Sequence, residues 1–258
     1  MPLLVGTSGW QYRDWRGTFY PADMAQARWL EHYAERFRTV EVNNAFYRLP
    51  EASTFQRWAE RTPSDFVVGV KTSRYLTHVR RLREPEEAVA RFVDRARHLG
   101  PKLGPVLVQL PPNLRLDADA LECTLGCFPP EWRVAVEFRH DSWFVDPVYA
   151  LLSRFDAALC LADSPRRSTP VRRTASWGYV RLHEGGGPPH PCYDEAALDT
   201  WAGTLARLYA PDDDVYAYFN NDPRGCAVRD ATVFAGAAAR HRLQPTRTPA
   251  TGDVHVAA

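Results

Sequence analysis

The chain is poor in several things that would otherwise direct a reading. Its 258 residues include five cysteines and two methionines, and no apolar run is long enough to cross a bilayer. Cys123, Cys127, Cys160, Cys192 and Cys226 are odd in number and form no CxxC pair. That excludes a zinc-ribbon pattern and a dense disulfide framework, and it predicts reduced thiols in a cytoplasmic protein. Cys123 and Cys127 stand at i, i+4, half of a metal site without a matching half, so they are read as packing residues. Net charge is also nearly absent: 32 basic against 31 acidic side chains leave +1, which gives no global pull towards nucleic acid or a membrane surface. Lysine is scarcest of the charged types, since Lys71 and Lys102 are the only two among the 32 basic residues. There is no strand-linked GxGxxG, no phosphate-loop motif and no solenoid-like repeat. Met1 leads straight into an apolar run without a charged and then apolar leader, which predicts a soluble, unprocessed chain.

What is present is a series of eight short apolar runs, at 3–7, 40–43, 66–71, 105–110, 133–138, 158–163, 179–183 and 215–220. Helical patterns near 25–37, 53–60, 84–99, 117–126, 146–155, 194–209 and 228–241 separate most of them. Strands alternating with helices predict an α/β fold, a single (β/α)8 TIM-like barrel over 1–243. Between the sixth and seventh runs only 164–176 is found, rich in Arg, Ser, Thr and Pro, so the helix there is reduced or missing. The Pro- and Thr-rich stretch 244–258 reads as a disordered tail.

Alternation within each run selects what enters the barrel. Val134, Val136 and Phe138 suit packing under helices, which turns Ala135, Glu137 and Arg139 inward. The same rule turns Glu41 and Asn43 inward in the second run, Tyr179, Arg181 and His183 in the seventh, and adds Lys71, Gln109 and Asn220. All lie towards the carboxyl ends of their strands, where barrel chemistry is placed.

Two carboxylates, Glu41 and Glu137, can divide acid and base roles, or pair structurally with Arg139 and Arg181. His183 brings an imidazole, suited to proton transfer near neutral pH or to a structural hydrogen bond. Lys71, in a chain whose default cation is arginine, is either an internal ion-pair partner or an amine able to change protonation. The expected roles are proton transfer by Glu137 and His183, with Glu41 and Asn43 orienting substrate. Lys71, Arg139 and Arg181 hold an anionic group, and Asn220, Gln109, Trp10 and Tyr12 complete the binding set. No cofactor is expected. A divalent metal on Glu137, Asp163 and His183 is the less favoured alternative, because barrel metallohydrolases bring more histidines to their strand ends.

At these residues the chain resembles the YecE-like family, catalogued as domain of unknown function 72. The segments are GTSGWQYRDWRGTFYP at 6–21, VEVNNAFYRLP at 40–50, LVQLPP at 107–112, VEFRHDSW at 136–143, YVRLH at 179–183 and YFNNDPRGCAVRDA at 218–231. The resemblance implies a TIM-like barrel and supplies no reaction. The family pattern often has glycine after the seventh-strand histidine, whereas here Glu184 precedes Gly185. The function expected is hydrolase-like acid/base chemistry on a phosphate- or carboxylate-bearing small molecule. The competing readings are a nuclease-like phosphodiesterase and a non-catalytic sensor of an anionic metabolite; oligomeric state is left open.

Overall fold

The computed structural model describes residues 2–165, 167–186, 191–254 and 256. In chain order the elements are β1 (Pro2–Thr7), α1 (Trp29–Arg36), β2 (Thr39–Val42), α2 (Asn44–Tyr47), α3 (Ala52–Glu60), β3 (Val67–Lys71) and α4 (Glu86–Ala96). Then follow β4 (Leu103–Gln109), α5 (Ala118–Gly126), β5 (Val134–Glu137), α6 (Asp146–Arg154), β6 (Ala158–Ser164) and β7 (Arg167–Ser168). The last are β8 (Gly178–Leu182), α7 (Glu195–Leu208), β9 (Val215–Phe219), α8 (Cys226–Arg240) and β10 (Gln244–Pro245). Local chemistry sets several boundaries. Asp117 caps α5 by accepting from the Ala120 N–H, Asp194 caps α7 through Ala197, and Pro147 sits in the first turn of α6, where its missing N–H costs nothing.

The sheet runs β10-β1-β9-β8-β6-β5-β4-β3-β2, and every pairing on this path is parallel. The eight apolar runs are therefore the eight principal strands of a TIM-like barrel. Where the helix between the sixth and seventh runs was expected to be lacking, β7 folds back antiparallel on β6, and Thr169 and Thr174 tie the following segment to that strand.

β1 and β2 close the ring without a backbone ladder between them. The Tyr33 hydroxyl, from α1, takes the place of one: it accepts from the Thr7 N–H at 2.9 Å and donates to the Thr39 carbonyl at 3.1 Å. Gly6 permits this approach, since a Cβ there would stand 2.3 Å from the Thr39 carbonyl oxygen.

Alternation sorts the core as expected. Val40, Val42, Val68, Val70, Val106, Val108, Val134 and Val136 belong to the apolar layer beneath the helices, whereas Leu107, Ala135, Cys160, Tyr179, Tyr216 and Tyr218 fill the barrel. Large rings on β8 and β9 face small residues across the interior; a Cβ on Gly69 would lie 3.0 Å from the Tyr218 hydroxyl. The upper layer holds charges instead.

Two expectations are corrected. The segment from Gln244 onward is not a free tail: Gln244–Pro245 pairs with Pro2 and Leu3, Arg247 binds Asp65 and the Ala34 carbonyl, and Val254 is buried. Pro and Thr content said nothing of a sheet edge offering free backbone groups; positions 255, 257 and 258 lie outside the described residues. Nor are all thiols reduced, because Cys192 and Cys226, 34 positions apart, form a disulfide joining the segment after β8 to the start of α8. Spacing alone could not reveal a pairing made by two neighbouring βα loops.

Candidate functional site

Glu41, Arg181 and Glu137 meet at the centre of the strand-end layer, all 1% exposed or less. Arg181 bridges the two carboxylates: its Nε and Nη2 donate to Glu41 Oε1 at 3.2 and 2.8 Å, and its Nη1 donates to Glu137 Oε2 at 2.6 Å. Glu41 also accepts from the Ser8 hydroxyl at 2.7 Å and from the Tyr179 hydroxyl. Glu137 Oε1 accepts from Gln109 Nε2 and Arg139 Nε, each at 2.8 Å. Burial alone would push the Glu137 carboxyl up, but Arg181, then His183 and Arg139, outweigh it and hold the group well below the usual carboxylate range. Glu137 thus stays ionised near neutral pH and has no proton to give as a general acid. Arg181, enclosed by carboxylates, is not placed to clamp a ligand. The geometry is that of the structural alternative, in which both carboxylates pair with arginine in a buried network.

Arg139 does face outward. Its side chain is 37% exposed while its Nε is held by Glu137, so the rest of the guanidinium remains accessible. Lys71, at the end of β3, makes no ion pair or hydrogen bond among the described residues and sets its Nζ 4.2 Å from the centre of the Phe46 ring. Burial, then the Arg181 charge, push its ammonium down to about 8, although Glu137 and Glu41 counteract. A π-helical turn, Tyr75–Val79, follows β3 and brings His78 beside them. Burial, then Lys71, Arg139, Arg74 and Arg81, push that imidazole down. The backbone after this turn takes positive φ at Arg81, Leu82 and Glu84, a costly conformation for such residues. The mouth is locally cationic although the chain as a whole is nearly neutral.

On the opposite side a polar chain crosses from β2 to β8. Asn43 Nδ2 donates to Asn220 Oδ1 at 3.4 Å, and Asn220 Nδ2 lies 3.0 Å from His183 Nδ1. With the amide as donor, the His183 proton sits on Nε2, which points towards Glu137 Oε1 at 3.6 Å, too far for a hydrogen bond. Among the described residues His183 Nε2, Asn43 Oδ1, Asn221 Oδ1 and Asp222 Oδ1 are buried without a hydrogen-bond partner. All four belong to segments just beyond β2, β8 and β9. Trp29 Nε1, Thr246 Oγ1 and Arg247 Nε are orphaned elsewhere, and the Asn221 amide turns to the Pro191 carbonyl and Asp230, which leaves Asn43, His183 and Asp222 as the group that borders the mouth.

Asp222 was missed by alternation because it lies on the loop past β9. Burial pushes its carboxyl up to about 7; contact with the Tyr12 hydroxyl pulls it down, and Asp14 raises it again. The signal in the sequence was its place directly after Asn220 and Asn221 and before Pro223. With a folded pKa near 7 against an ordinary 3.8, the folded chain holds this proton more tightly than the unfolded one. Stability is accordingly lost as pH rises from about 4 to 7. Asp222→Asn is therefore expected to be more stable than the parent chain at pH ~8 by about 1–4 kcal/mol, with the difference vanishing near pH ~4. Urea melts at both pH values measure it, and equal differences at the two would refute the assignment.

The aromatic expectation divides. Trp10 is buried at 5% exposure, its ring edge-on to Trp58 at 5.4 Å, so most of it packs the shell while it lines one wall of the cleft beside Tyr12. Trp15, Tyr20 and Trp143 are likewise buried. Tyr12 does border the mouth, donating to the Ser8 carbonyl at 2.6 Å beside a cleft of about 140 Å³ lined by Ser8, Gly9, Asn43 and Asn44. The metal alternative gains nothing: Asp163 accepts from Trp201 Nε1, and the described residues show no cluster of metal-ligating atoms at the mouth.

A family profile described as "Protein of unknown function DUF72" matches residues 4–253. The chain is similar to the UPF0759 protein YecE of Escherichia coli K12, at 34% identity over 143 residues, 55% of this chain. That match spans half the length of the YecE protein. It is also similar to the UPF0759 protein YunF of Bacillus subtilis, at 26% identity over 87% of this chain and 90% of that one. Among solved structures, a DUF72 family protein of Thermotoga maritima superposes with a TM-score of 0.80 at 28% identity, covering 92% of this chain and 98% of that one. One from Enterococcus faecalis, at 16% identity and a TM-score of 0.77 over 92% of this chain and 95% of that one, shares the fold.

Proposed function

We propose, for a chain that belongs to the DUF72 family of proteins of unknown function, an enzyme that performs hydrolase-like acid/base chemistry on a small anionic substrate at the strand-end mouth. The observation that carries this reading is the pairing of a cationic rim with three orphaned polar atoms, of Asn43, His183 and Asp222. Arg139 and the charges around His78 attract a phosphate or carboxylate group, and the orphaned atoms meet the rest of the ligand. Lys71 in its neutral form takes a proton from the attacking water; Asp222, protonated below pH ~7, returns one to the leaving group. His183 offers its Nε2–H to the substrate, while Glu41 and Glu137 orient Arg181 and Arg139 without transferring protons. The reaction needs no cofactor.

The nucleic-acid reading is the less favoured one, since it calls for aromatic rings that stack on bases and Trp15, Tyr20 and Trp143 are packed inside, which leaves Tyr47, 77% exposed, as the large open ring beside the mouth. Inorganic phosphate is a suitable first probe. At low ionic strength it is expected to raise the melting temperature in a dose-dependent way. The effect should fade in roughly 1 M sodium chloride and in Arg139→Gln. Phosphorylated and carboxylated small molecules are then screened for turnover. No stabilisation by any anion would defeat the proposal, and binding without turnover of any bound compound would make the protein a sensor.

A further inference from the structure

We propose that Glu86, Cys123 and Cys127 form a binding site for a soft divalent cation of the zinc class on the helical shell of the barrel. The inference is independent of the strand-end reaction. In sequence the two cysteines are only half a site. Folding supplies the third donor from another helix: Glu86, in the first turn of α4, brings its Oε1 within 3.5 Å of Cys123 Sγ, and Cys127 ends α5 one turn further on. The three donor atoms all lie within 4.8 Å of one another. A tetrahedral zinc ion with bonds of about 2.3 Å to sulfur and 2.0 Å to oxygen sets its ligands roughly 3.5–3.8 Å apart, so small side-chain rotations suffice.

The donor set selects the ion. Two thiolates and a carboxylate favour zinc, cadmium or cobalt over magnesium and calcium, which prefer oxygen alone. The fourth position falls to water, because Cys123 is exposed and solvent reaches the site. The other cysteines do not compete: Cys160 is buried in the barrel, and Cys192 and Cys226 are joined to each other. Binding converts both thiols to thiolates and releases two protons, so affinity rises with pH.

Cobalt(II) is the direct probe. One equivalent added to the full chain is expected to give the d–d bands of a tetrahedral ion and a thiolate charge-transfer band. Equimolar zinc should erase both, with about two protons released per zinc. Cys123→Ser with Cys127→Ser, the first exposed and the second at the edge of the core, should abolish the bands while the chain still melts cooperatively. Glu86→Gln should weaken binding by at least the ~10-fold that loss of even a supporting contact costs. Octahedral cobalt without charge transfer, or bands that survive in the double serine variant, would overturn the site.

Discussion

Arg181→Met is expected to lower folding stability by about 3–5 kcal/mol, the cost of leaving two buried carboxylates without their partner. Arg181 is 1% exposed and, among the described residues, is the one guanidinium that touches both Glu41 and Glu137. A methionine fills similar space, so the loss reports charge and not a void. Should the single variant fail to fold, Arg181→Met combined with Glu41→Gln and Glu137→Gln recovers much of the stability, because no buried charge is then stranded. Denaturant midpoints at pH ~7 decide the matter. A single variant as stable as the parent chain but weaker for phosphate would instead restore the ligand-clamping role expected from sequence.

Lys71→Met should act in opposite directions on activity and stability. Its ammonium, at about 8 against an ordinary 10.5, is harder to charge in the folded chain than in the unfolded one. The penalty is full below pH ~8 and disappears as pH rises to about 10.5, so the variant should gain roughly 1–3 kcal/mol at pH ~7 and nothing at pH ~10.5. Turnover should fall by about 10²–10⁴-fold, the usual contribution of a positioned general base. In the parent chain the rate should pass through a maximum between about pH 7 and 8, rising as Lys71 becomes neutral and falling as Asp222 loses its proton. An unstable variant, or one with full turnover, would remove Lys71 from the proton-transfer role. A group that destabilises its fold without a partner is the kind retained for function.

The barrel and the membership of its charged layer were legible because both follow from a period of two. Val40, Glu41 and Val42 announce a strand with one charged face wherever β2 sits in the fold. What those side chains do to one another was not legible, since the 2.6 Å between Arg181 and Glu137 spans strands 44 positions apart. Hence the sequence left open whether Glu137 and Arg181 serve a ligand or pair with each other, which the distance shows they do. Asp222 and Cys192 with Cys226 escaped because each sits on a loop or helix end, where no periodicity dictates direction, and Glu86 with Cys123 because they meet across two helices 37 positions apart. Trp15 and Trp143 are packed beneath the mouth, and in sequence they look no different from Trp10, which lines its cleft.

The break between β1 and β2 has a thermodynamic corollary. The groups that span it, Ser8 reaching Glu41 and Asn43 reaching both Ser8 and Asn220, are also groups of the mouth. Any molecule that engages Asn43 or the Ser8 carbonyl therefore acts as a clasp on the ring. By reciprocity, the factor by which such a molecule favours the closed seam is the factor by which closure raises its affinity, so a bulkier residue at Gly6 weakens its hold to the extent that it opens the seam.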